Sequence, residues 1–200
     1  AGLPTLTEVW TPPIPTESPA RAEEGARHVA LSAQAAVALG CDRLVQTGGP
    51  RRDGGLAQTL QGLRALDVAL GDLPVRVCLE PHVGSQILYP NEYDALMAEL
   101  PASRFGITVD TGHFHSAGVD WKALMLRFPD RVWNVHLKDH IGTQSVAIGA
   151  GEIDLRGLIA VLREIGYDGP LAIEMEVTDP ENLHRYIGDA YRAMTALLEE

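Results

Sequence analysis

Four stretches of the chain run through apolar sequence into one ionisable residue: Leu79-Glu80, Val109-Asp110, Val135-His136 and Ile173-Glu174. The separations are 30, 26 and 38 residues, each about the length of one strand-plus-helix unit. If each stretch is a strand of one parallel sheet, all four side chains fall at its carboxyl edge, where α/β proteins bind ligands. Three carboxylates and an imidazole converging there would repel and desolvate one another. An uncompensated buried carboxylate shifts its pKa upward until it neutralises. A divalent cation removes that conflict, and oxygen and nitrogen donors suit Mn, Mg, Co or Zn. Four protein donors also leave coordination positions open for the oxygens of a substrate.

Taken singly, each residue has an ordinary explanation. A carboxylate at a strand end commonly caps the next helix. Asp110-Thr111-Gly112 reads equally well as a turn, and His136 as a core histidine satisfied by its neighbours. Recurrence of the same slot in four successive units is what favours a metal site. Glu176 lies two residues past Glu174 and shares its face on strand alternation, which makes it the alternative ligand. His82 is a loop residue able to face a pocket, while His115 and His140 read as rim residues. For Arg51 and Arg52 a solvated loop is preferred over contact with an anionic substrate. Residues 149–151 (GAG) read as a turn rather than a site of close backbone approach.

The elements that must position these groups alternate regularly. Strands are expected over residues 3–10, 42–47, 75–80, 105–110, 131–137 and 171–175. Helices are expected over 21–39, 55–70, 92–100, 121–127, 155–165 and 182–198, two of them stopping at Gly40 and Gly166 as helices ending on a C′ glycine do. A proline-rich connection fills residues 11–19, where four prolines forbid regular helix. Nearly all-apolar strands alternating with helices imply a parallel sheet covered by helices. Six strands fit either an open doubly wound sheet or a barrel short of the usual eight.

The segments LEPH (79–82), VDTGH (109–113), VHLKD (135–139) and GEIDLRGLIAVLREIGYDGPLAIEME (151–176) decide between these. With them the chain resembles the xylose isomerase-like TIM-barrel superfamily of sugar isomerases and epimerases, from about residue 20 onward. The resemblance implies an α/β TIM (β/α)8-type barrel in a single domain over residues 1–200, with the first two βα units lacking and six parallel strands in this chain. It implies metal ligation by Glu80, Asp110, His136 and Glu174, with Glu80 and Glu174 also forming the acid/base pair. His113 resembles a histidine that contacts substrate oxygens. Lys138 falls in the H-x-K-D pattern, where substrate contact and a structural ion pair are equal expectations. His82 completes the expected substrate contacts. The implied cofactor is one divalent ion, Mn ahead of Mg, Co or Zn. The implied reaction is isomerisation or epimerisation of a sugar or polyol through an enediolate. A dehydratase of the inosose type and a non-catalytic, degenerate binding barrel are the alternatives.

Bulk properties exclude several other classes. The net charge of −11 lacks the basic footprint of a nucleic-acid binder. No Asp-x-His follows His136 and the strand at 42–47 ends in Gln46-Thr47, which sets the chain apart from the superfamily's apurinic endonucleases. Two cysteines cannot build a disulfide framework, and no apolar run approaches a membrane span. No signal-peptide pattern opens the chain, so a cytoplasmic location is expected. The chain starts at Ala1 without Met, and a natural start further upstream is expected. Open sheet edges invite pairing with a second copy.

Overall fold

The computed structural model describes residues 6–15 and 17–200. Eight strands and seven α-helices are found among them: β1 (Val9–Thr11), α1 (Pro19–Ala38), β2 (Arg43–Thr47), α2 (Gly55–Leu70), β3 (Arg76–Glu80), α3 (Pro90–Glu99), β4 (Phe105–Asp110), α4 (Thr111–Ser116), α5 (Trp121–Arg127), β5 (Val132–Leu137), β6 (Asp139–Ile141), β7 (Gln144–Val146), α6 (Leu155–Glu164), β8 (Leu171–Ile173) and α7 (Leu183–Glu199). The six-stranded sheet has the order β1-β2-β3-β4-β5-β8. Two compact units divide the chain, Ala1–Thr108 and Val109–Glu200.

In the first unit β1, β2, β3 and β4 pair in parallel, with Val9 beside Leu44, Leu44 beside Val77 and Val77 beside Phe105. Parallel strands covered on both faces need apolar side chains at every position, and Leu44, Val45, Val77, Cys78 and Leu79 are all fully buried. Burial pushes the Cys78 thiol up to about 12, so it is inert packing. Helix α1 starts where Ser18 accepts a hydrogen bond from the Arg21 amide and Pro19 supplies a preset φ. Its buried stripe of Ala22, Ala26, Ala30 and Ala33 recurs at helical spacing and lets α1 lie against α2. The expected strand at 3–10 begins outside the described residues; its described end extends one residue further, to Thr11.

The second unit departs more from the sequence reading. Helix α4 and the antiparallel β6–β7 hairpin occupy stretches read as loop. The helix has six residues and the hairpin strands three each, too few for a periodic signal. Strand β8 pairs with β5 (Val135 beside Leu171, Leu137 beside Ile173) but stops at Ile173 rather than residue 175. The Glu174 amide still donates to the Leu137 carbonyl at 3.0 Å, so the ladder carries Glu174 into place although its side chain lies past the strand. Among the described residues no helix is long and apolar enough to cross a membrane.

Asp139 holds the second unit's longest irregular segment. Its buried carboxylate accepts from the amides of Gly149 (2.8 Å) and Gly151 (2.9 Å) through Oδ2, and of His140 (3.0 Å) and Ile153 (3.2 Å) through Oδ1. Residues 149–151 are therefore a turn, as read, and also a site of close approach. Gly149 sits at φ +86°, and a Cβ on Gly151 would strike the Asp139 carboxylate and approach the His140 carbonyl to 2.6 Å. Hydrogen bonds to a charged group are among the stronger ones, and orphaning buried amides costs about 1–3 kcal/mol each. Asp139→Ala is therefore expected to lower the free energy of unfolding by about 3 kcal/mol or more in urea titrations. Gly151→Ala should destabilise by roughly 1–3 kcal/mol. Two variants indistinguishable from the parent chain would show that the segment is held by something else.

Candidate metal centre

Asp110 is both the last residue of β4 and the N-cap of α4. Its Oδ1 accepts from the His113 amide at 2.8 Å, and the side chain is fully buried. The next residue, Thr111, ties this helix start to the end of β5: its hydroxyl accepts from the Lys138 amide (2.9 Å) and donates to the Lys138 carbonyl (2.7 Å). At Gly112 a Cβ would meet Lys138 Cβ at 2.7 Å and the His140 ring. The Asp-Thr-Gly run is thus a helix cap whose tight packing presents the second carboxylate oxygen of Asp110 beside the β5 side chains.

Asn134 and His136 on β5, and Lys138 just past its end, follow one another at the spacing of two that puts side chains on one face. His136 Nδ1 lies 3.1 Å from Glu174 Oε2 and 3.9 Å from Asp110 Oδ2. The other ring nitrogen, Nε2, lies 3.1 Å from the Asn134 amide nitrogen. Lys138, 1% exposed, brings Nζ within 3.3 Å of Asp110 Oδ2, 3.1 Å of Glu174 Oε1 and 3.8 Å of Glu176 Oε2. One potential ligand atom from each of Asp110, His136 and Glu174 lies within 4.8 Å of the others.

Three carboxylates face one ammonium in this cluster, so a negative excess remains. Burial works to lower the Lys138 pKa, but the charges of Asp110 and Glu174 overcome it and hold the pKa above its ordinary value. Burial likewise works to raise Glu174, yet the hydrogen bond with His136 and the Lys138 charge bring it down to about 2. The donor chemistry fits a divalent cation: two carboxylates and an imidazole nitrogen, with charge left to neutralise.

The other expected site residues are placed as follows. Glu80 ends β3 and is buried. His113 lies half-buried on α4, its backbone amide on Asp110. Lys138 makes the structural ion pairs that were one of its two readings. His82 is exposed, its Nδ1 2.9 Å from the Val83 carbonyl oxygen within its own loop. Glu176 is exposed and reaches Lys138 only at the longer distance, so Glu174 is the better placed donor. His140 departs from the rim reading: it is buried, with Nδ1 2.9 Å from Ser116 Oγ, and burial followed by the Lys138 charge lowers its pKa. His115 is half-buried and pairs with Glu152 at 3.2 Å. Arg51 and Arg52 are exposed loop residues, as read; Arg51 in addition makes an ion pair with buried Glu92 (2.7 Å) and stacks over Tyr89, and Arg52 donates to Gln58. Thr111 and Asn134 were missed by sequence reasoning. For Asn134 a signal existed, since it precedes His136 by one strand period.

A family model described as xylose isomerase-like TIM barrel matches residues 5–197. Among curated relatives, an inosose dehydratase of Lacticaseibacillus casei is 25% identical over 134 residues, covering 58% of this chain and 45% of that protein. The rhizopine catabolism protein MocC of Rhizobium meliloti is 28% identical over 144 residues, covering 62% and 44%. The chain thus spans less than half the length of these relatives. Among solved structures, the IolI protein with a bound zinc atom superposes with a TM-score of 0.82 at 16% identity, over 96% of this chain and 76% of that one. The 3-keto-D-glucoside 4-epimerase YcjR of E. coli gives a TM-score of 0.76 at 19% identity, over 94% and 79%. At these identities the superpositions speak for the fold, and the matched model extends over nearly all of the sequence: the chain belongs to the xylose isomerase-like TIM barrel family.

Proposed function

We propose that the protein is a divalent-metal-dependent isomerase or epimerase of a sugar or polyol, with Glu80, Asp110, His136 and Glu174 as the donor set. The observation that carries this reading is the cluster of buried Asp110 and His136 with half-exposed Glu174, whose negative charge the Lys138 ammonium only partly offsets. A bound divalent ion would supply Lewis acidity to a substrate carbonyl, making the adjacent C–H more acidic. Glu174 is held as a carboxylate well below neutral pH, so it can accept that proton as a base. Glu80 returns a proton to the neighbouring carbon or to the opposite face of the resulting enediolate. His113 and the Lys138 ammonium bind substrate oxygens, and Lys138 also stabilises the developing oxyanion. Asp110 is oriented by its cap on α4.

A second reading shares the first proton abstraction and then expels hydroxide from the next carbon, a dehydration. It is favoured by the curated relatives, several of which are inosose dehydratases.

Metal analysis of the purified chain, before and after incubation with Mn, tests the centre. About one ion per chain is expected, lost in Glu174→Ala, because metal affinity follows ligand count. A chain that takes up no metal in either condition would remove the basis of the proposal. Deuterium uptake from heavy water into an open-chain ketose tests the chemistry, and Glu80→Gln should slow it about 100-fold or more. Ketose isomer or epimer as product supports the first reading; an unsaturated product supports the second.

The metal-free cluster makes a further prediction. Glu174 has a folded-state pKa of about 2 against an ordinary 4.5, so its ionised form stabilises the fold. That contribution is fully present above the unfolded value and is lost as pH falls through the window between them. With chelator present, the stability gap between the parent chain and Glu174→Gln should therefore be largest above pH 4.5 and close toward pH 2. A gap that stays constant across this window would mean that Glu174 is not ion-paired in solution.

A further inference from the structure

The two nitrogens of the His136 ring have different surroundings. Nδ1 faces the carboxylates, 3.1 Å from Glu174 Oε2 and 3.9 Å from Asp110 Oδ2. Nε2 faces the side-chain amide of Asn134, whose nitrogen is 3.1 Å away. A neutral imidazole carries one proton, so a ring that coordinates through one nitrogen must carry N–H on the other. Geometry makes Nδ1 the coordinating atom here, which leaves an Nε2–H directed at Asn134. Both side chains are buried, where an N–H without an acceptor costs about 1–3 kcal/mol.

A carboxamide is suited to this position because its two ends have nearly the same shape. A half-turn about the last side-chain torsion exchanges nitrogen for oxygen without disturbing packing. Position 134 lies one strand period before the ring on the same face of β5, and its short side chain reaches the ring's far edge. An aliphatic residue there would pack equally well and would provide no acceptor.

We propose that Asn134 is the positioning residue that sets the tautomer of His136, its amide oxygen accepting Nε2–H and thereby committing the Nδ1 lone pair to the cation. The proposal rests on the metal reading of the cluster and adds to it the group that decides which ring nitrogen binds. Acting through His136, Asn134 touches neither metal nor substrate. Its effect is on affinity, because without the acceptor the ring populates the wrong tautomer and both ring orientations.

Zinc is the probe of choice, being diamagnetic and visible by competition with a chromophoric chelator. Zinc affinity is measured for the parent chain, Asn134→Leu and Asn134→Asp, together with long-range 1H–15N spectra of the histidine-labelled, zinc-loaded proteins. Asn134→Leu should bind zinc about 10–100-fold more weakly, the usual effect of removing the hydrogen-bond partner of a ligating histidine. Asn134→Asp keeps an acceptor and should bind within a few-fold of the parent or more tightly, so the test survives a leucine variant that does not fold. In the zinc-loaded parent the His136 proton should reside on Nε2. A proton on Nδ1, equal affinity in the leucine variant, or a tenfold loss in the aspartate variant would each overturn the proposal. Failure of the underlying metal reading has a different signature: the parent chain itself binds no zinc, and the three proteins cannot be ranked.

Discussion

The interaction on which the site depends is the contact of one buried ammonium with more carboxylate than it can neutralise. Lys138 is almost without solvent exposure, and removing an ammonium from water costs several kcal/mol. A carboxylate at ~3 Å returns roughly 5 kcal/mol at an effective dielectric near 20. One partner would therefore about balance the cost of burial, and two make the charged state secure. Asp110 and Glu174 are those two, which is why the Lys138 pKa stays high despite its burial. The carboxylates are left with charge to spare, and that surplus is what gives a divalent cation a reason to bind beside His136.

Such a cluster is stable only if the backbone beneath it does not yield. The second unit contains three devices that serve this end. Asp110 spends one oxygen on the first turn of α4 and keeps the other for the cluster. Thr111 bonds both backbone groups of Lys138, fixing the point where β5 ends. Asp139, the next residue, gathers the amide of its neighbour His140 and three backbone amides from the segment after the β6–β7 hairpin. Successive residues at the end of β5 thus alternate between two tasks: His136 and Lys138 face the cluster, and Asp139 faces away to order the chain that follows.

The parallel sheet was legible in the sequence because its strands are short apolar runs closed by glycine turns, and α2, α5 and β4 fall at the expected boundaries. The proposed donor residues were legible for a related reason. A polar residue at the end of an apolar strand stands out, and four in the same slot reinforce one another. What stayed hidden was polar and local. Helix α4 carries glycine and two histidines in six residues, so no hydrophobic period marks it. His140 reads as a rim residue because its neighbours are polar; it is the close approach of Gly112 and the Ser116 contact that bury it. Arg51 reads as a loop cation because nothing local identifies Glu92, 41 positions away, as its partner. Pairings of this kind depend on tertiary geometry and leave no trace in spacing.

Isomerisation, epimerisation and dehydration begin with removal of the same proton, so a site made for that step need not distinguish them. The distinction arises afterwards, from which group delivers the next proton and to which atom. Dehydration requires in addition an acid that can protonate departing hydroxide. The Lys138 pKa is raised, which makes its ammonium a weak acid for that purpose. The group that delivers the second proton therefore divides the two readings, Glu80 in the one and an acid able to protonate hydroxide in the other.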